Sequence, residues 1–185
     1  MDTFGYHVAN CRSGDYSVIH RHNAIRNLFF TLCQRAAYNP KLEIVCANTK
    51  VDKLTPADIF IPVGPGSQPI AVDVAVVHPQ SVKIVDQASK SPDAANLAAE
   101  NRKNSKYLEV CNDSSIQFKP LAIEFYGRLS PNALSFVAKL STAIANRFGG
   151  SVSTVSRDIQ TKIMITLTKI SARAVLERVQ NRLVA

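Results

Sequence analysis

At 185 residues with 46% hydrophobic content, the chain is sized for one compact domain with a full core. No run approaches the roughly 18 to 20 apolar residues of a membrane span, and Met1 to Tyr16 holds no apolar signal region, so a membrane protein is not expected. Cys11, Cys33, Cys46 and Cys111 are scattered, which argues for reduced, buried thiols in a soluble, intracellular protein rather than a disulfide framework.

The net charge of +8 is uneven: from Arg128 onward nine Lys or Arg face only Asp158 and Glu177. A basic last third suits a nucleic-acid surface, an acidic protein partner, or a solvated helix face.

The first predicted element is a helix from about His22 to Ala37, where Ile25, Leu28, Phe29, Leu32, Cys33 and Ala36 recur at helical spacing before Asn39-Pro40 closes it. LEIVCA, from Leu42 to Ala47, alternates as a strand, and a second strand starts at Ala57 in ADIFIP. The turn-forming VGPGSQP then reverses the chain into IAVDVAVV, Ile70 to Val77. After the polar connection QSVKIVDQASKSPD, a helix runs from Ala94 to about Cys111 with a face at Ala99, Lys103, Lys106 and Val110. A strand from Lys119 to Phe125 and a helix from Pro131 follow, and Gly149-Gly150 breaks the chain. Beyond it, Val152, Val155, Ile159, Ile163, Leu167 and Ile170 fit a helix, although Ile163, Ile165 and Leu167 also alternate as a strand would.

The most informative residue is Asp73, a carboxylate inside an otherwise apolar strand, which is costly unless paired, protonated or bound to a cation. Asp58 begins the preceding strand across a tight turn, so pairing brings the two acids to one end of the sheet. Converging hard oxygens there would suit Mg²⁺, with Glu43 as a third acid. The plainer reading is that Asp58 caps a turn and Asp73 pairs with an arginine.

Pro56-Ala57-Asp58, then Asp73 followed by apolar residues, then Lys103-Asn-Ser-Lys106-Tyr107, resemble the restriction-like endonuclease domain of early-branching non-LTR retrotransposons. That domain belongs to the PD-(D/E)XK nuclease superfamily. GYHVANC and RHNAIRNLF are similar to the segment that leads into it at the C-terminal end of the element's reverse transcriptase protein. The resemblance implies an α/β fold with a restriction-endonuclease-like core: helix, three strands, helix, strand, helix, as a mixed sheet flanked by helices. Residues 1–21 would then be a lead-in carrying a remnant zinc knuckle, 22–148 the nuclease domain, and 149–185 a basic helical extension.

It further implies that Asp58 and Asp73 ligate Mg²⁺ or Mn²⁺, with Glu43 a weaker additional acid. The superfamily's lysine two residues after the second acid is replaced here by Ala75, so the resemblance points to Lys106 from the following helix, with Lys103 next. DNA would be the partner, with element RNA or a reverse transcriptase domain beside it, in the nucleus. The proline before the first acid is displaced to Pro56, and this departure leaves room for an inactivated relative.

His7, Cys11, His20 and His22 offer zinc-type ligands, but their spacing is irregular and no upstream cysteine pair is present; His22-Asn23 also reads as a simple helix start. An HNH-type reading of HRHN lacks that motif's remaining parts. Arg102, Tyr107, Arg157, Lys162, Lys169 and Arg173 are the DNA-contact candidates, with Arg178 and Arg182 further along the basic helix. The bland expectations are local packing for Tyr107 and Tyr126, an ion pair with Lys103 for Glu100, and backbone hydrogen bonds for Glu124.

Three functions follow: a Mg²⁺-dependent endonuclease that nicks DNA, a non-catalytic nucleic-acid-binding or assembly module, and a structural protein that forms oligomers through its C-terminal helix.

Overall fold

A computed structural model describes residues 18–43, 57–63, 68–81 and 83–183. The chain is α/β: helix α1 (Val18–Arg35), strands β1 (Lys41–Leu42), β2 (Ile59–Ile61) and β3 (Ile70–Val77), a single turn α2 (Val85–Ala88), helix α3 (Ala94–Asp113), strand β4 (Gln117–Glu124), and helices α4 (Pro131–Phe148) and α5 (Val152–Leu183). The sheet is mixed, in the order β1-β2-β3-β4. β1, β2 and β3 pair antiparallel, and β4 lies parallel to β3. A parallel neighbour needs a long crossover, and α3 supplies it.

Side chains of β3 and β4 alternate between two layers. Val72, Val74, Leu121 and Ile123 enter the main core with Ile25, Phe29, Leu32 and Cys33 of α1 and Phe136, Val137, Leu140 and Ile144 of α4. Ala71 and Phe118 turn the other way, into a smaller cluster with Tyr107 and Cys111 of α3. β3 is therefore covered on both faces, as its nearly unbroken apolar run demands. Each fully buried Ile, Leu or Phe of the main core contributes about 1.5–3 kcal/mol.

α1 begins one turn before the expected His22, at Val18, so His20 and His22 lie within the helix rather than opening it. It ends by turning Ala37 left-handed (φ 62°), with Tyr38 N–H donating to the Cys33 carbonyl at 3.0 Å, before Asn39-Pro40 is reached. β1 covers only the start of the predicted Leu42–Ala47 strand; Glu43 has φ 48°, and residues 44–47 lie outside the described residues. Ser130 caps α4 by accepting from Ala133 N–H at 3.1 Å, with Pro131 in the first turn.

The basic segment after Gly149-Gly150 is one helix, and its first half is no appendage. Ile159, Ile163 and Leu167, spaced by four, are buried in the main core. The expected boundary at 149 therefore cuts through a single packed unit. No helix among the described residues is long and apolar enough to cross a membrane.

Candidate active site

The β2–β3 register pairs Ile59 with Val72 and Phe60 with Ala71, so one step further sets Asp58 opposite Asp73. In an antiparallel pair, opposed residues share a face. The β1–β2 register pairs Leu42 with Ile59, and its next step sets Glu43 opposite Asp58. The three acids thus lie in one row across three strands.

Their side chains part company. Asp58 Oδ2 accepts from Val74 N–H at 2.7 Å, while Oδ1 lies 3.2 Å from His22 Nε2 of α1. Burial alone would raise the Asp58 carboxyl, but His22, the Val74 N–H and Lys103 outweigh it and hold the group below the ordinary aspartate value. Glu43 folds back onto Arg26, one helical turn beyond His22, and stays largely exposed. It is neutralised there, away from the other two acids.

Asp73 is buried, and Lys103 reaches it from α3, with Nζ 3.0 Å from Oδ1 and 2.8 Å from Oδ2. Both carboxylate oxygens therefore face the ammonium, the Oδ2 contact being the less well aligned of the two. Burial pushes the Asp73 carboxyl up, Lys103 opposes that, and the Asp58 charge adds to the rise, so the group sits above the ordinary value. Two neighbouring carboxylates are therefore driven in opposite directions, as in sites that divide acid and base roles.

Lys103 rather than Lys106 is the lysine that reaches Asp73. The buried stripe of α3 runs through Ala99, Tyr107 and Cys111, and Lys103 occupies the position in that stripe level with Asp73. Lys106 is exposed, with Nζ 4.7 Å from the Tyr107 ring centre. Tyr107 itself is buried, its ring 5.7 Å from that of Phe118, so it offers no free face for a base.

Arg102 is exposed beside Lys103. Along α5, Arg157, Lys169 and Arg173 are exposed, and Lys162 pairs with Asp158 at 2.7 Å. The side chains of Arg178 and Arg182 lie outside the described residues, as do His7 and Cys11. Of the zinc candidates that remain, His20 is exposed on α1 and His22 is engaged with Asp58. Among the described residues no group of three or more His, Cys, Asp or Glu is gathered for a metal.

Sequence reasoning missed His22 as a partner of the acid row. The signal was its four-residue spacing from Arg26, which puts two basic groups on the side of α1 that meets Asp58 and Glu43. No protein-family model matches the chain, and no curated protein matches it significantly.

Proposed function

We infer that the protein is a metal-dependent endonuclease of the restriction type that hydrolyses DNA phosphodiesters, nicking target DNA for the insertion of a mobile element. The observation that carries this reading is the half-buried Asp58, just before β2, set opposite the buried Asp73 of β3, which a lysine from the following helix reaches. The element order, with three antiparallel strands, a crossover helix and a parallel fourth strand, agrees with the core that the sequence resemblance implies.

A divalent ion would be held by Asp58 and Asp73, both hard-oxygen donors, once the Lys103 ammonium, 2.8 Å from Asp73 Oδ2, moves aside. Mg²⁺ binds through one or two carboxylates and completes its shell with water and phosphate. When bound, it supplies charge neutralisation for the phosphodiester under attack.

The protein's own residues do the rest. The Val74 N–H and His22 fix the Asp58 carboxylate in one orientation and keep it ionised. Lys103, half-buried, holds a positive charge at the edge of the site, where it stabilises the charge that develops on the phosphate oxygens. Arg102 and the exposed cations of α5 attract the DNA backbone without reading its sequence.

One observation favours a second reading, a catalytically inactive module kept for nucleic-acid binding or assembly: His22 and Lys103 already engage both acids. Incubation of supercoiled plasmid with Mg²⁺, Mn²⁺ or EDTA, run beside a salt titration of DNA binding, separates the two. Nicking in either metal that EDTA abolishes supports the endonuclease. Salt-sensitive binding with no nicking in either metal replaces it with the inactive module, and the loss of both removes DNA from the account.

A further inference from the structure

A cleft of about 320 Å³ lies between the C-terminal end of β3, the following turn and α3. Val77 lines it and shares a sheet face with Asp73, four residues away, a distance of about 13 Å along the strand. Ala99 lies one turn of α3 before Lys103, and Arg102 is its immediate neighbour.

The lining has a distinct chemistry. One wall is three alanines of α3, Ala95, Ala98 and Ala99, whose short side chains leave a smooth apolar surface; Val77 and Ile84 face it. Lys83 and Arg102, both exposed, bring positive charge to the lining, and among the described residues no acid contributes to it. His78 also lines the cleft, braced by Phe125 and Tyr126 at ring distances of 5.0 and 5.6 Å, and its Nδ1 accepts from Gln80 N–H at 3.2 Å. An open cleft with one apolar wall, two exposed cations, and His78 and Ser81 in its lining fits a ligand that is flat and apolar in one part and anionic in another.

We propose that this cleft receives an unstacked nucleotide of the DNA strand near the scissile phosphate, its base against the α3 alanines and its phosphate on Lys83 and Arg102. This rests on the nuclease reading for its substrate, and it gives that site a means of gripping one strand. Taking a base out of the stack costs a few kcal/mol, which the apolar wall and the phosphate contacts offset.

The test uses duplex oligonucleotides that each carry one 2-aminopurine, stepped along the strand, with Ca²⁺ in place of Mg²⁺ to hold the complex uncut. Fluorescence intensity reports unstacking, and anisotropy reports binding. A several-fold rise in intensity at one position is expected with the wild-type protein. In Ala98→Phe, which fills the slot from an exposed position, binding persists and the rise disappears.

The double variant Lys83→Ala/Arg102→Ala changes only exposed side chains, so it provides a second reading if Ala98→Phe misfolds. It is expected to lose the rise and to bind several-fold more weakly. Binding with no rise at any position, or a rise that survives both substitutions, overturns the proposal even if plasmid nicking is intact. A rise that depends on the cleft, in a protein that never nicks, supports it while the catalytic reading fails.

Discussion

Two pairs of acids lie on the same side of the sheet, and they differ above all in company. At one end Asp73 and Asp58 meet Lys103 and His22, brought from α3 and α1, and the two carboxyls are driven apart in proton affinity. At the other, Glu124 and Glu100 are as buried as Asp73, and both lie at local joins. Asn132 donates to Glu100 Oε2 at 2.9 Å, tying α3 to the start of α4. Asn96 donates to the Arg128 carbonyl at 3.3 Å, and the same carbonyl accepts from the Glu124 N–H. Among the described residues, Glu124 Oε1, Glu100 Oε1 and Asn96 Oδ1 accept no hydrogen bond. Burial marks a costly carboxylate, and the cations aimed at it from other elements separate a candidate site from a structural joint.

The contrast is sharpest at the lysines. Lys103→Ala should lower Mg²⁺-dependent nicking about 100-fold, the scale of losing one group that stabilises transition-state charge. Lys106→Ala should change it less than about threefold, since that residue is exposed and rests on Tyr107. Equal losses in the two variants would undo the assignment of Lys103, and initial rates measure both.

At the structural end the expected effects are on stability alone. Asn132→Ala removes the donor to Glu100 and should cost about 1–3 kcal/mol in urea unfolding, with nicking unchanged. The Glu124 carboxyl is raised first of all by burial, with Asp93 adding to the rise and Arg128 opposing it. A raised carboxyl favours the protonated folded state, so its penalty is absent below the unfolded-state value, develops as pH rises towards the folded-state value, and persists above it. Glu124→Gln should therefore raise Tm by about 2 °C at neutral pH, with the gain vanishing in acid. A lower Tm at neutral pH would mean that the carboxylate has a stabilising partner.

Much of this was legible in the sequence, for identifiable reasons. Ile70–Val77 declared itself as a strand because only Asp73 interrupts its apolar run, and the Gly- and Pro-rich stretch before it pointed to a partner strand next to Asp58. The α3 stripe reads rightly at Ala99 and Lys103 but one position out beyond them: apolar Val110 invited a face through Lys106, whereas Tyr107 and Cys111 face the sheet in line with Lys103. An amphipathic tyrosine and a small thiol give weak periodicity, and only tertiary packing decides between them. His22 was obscured because α1 starts a turn early, and Glu43 because its left-handed backbone and Arg26 turn it out of the acid row. Gly149-Gly150 read as a domain edge, yet Ile159, Ile163 and Leu167 are needed to close the main core.

The most direct test sets the two acid clusters side by side in the plasmid assay: Asp73→Asn against Glu124→Gln, each verified as folded, in Mg²⁺. The account predicts that Glu124→Gln nicks at the wild-type rate, while Asp73→Asn loses about 100-fold or more. Nicking by Asp73→Asn at the wild-type rate, or its loss in Glu124→Gln alone, would contradict it.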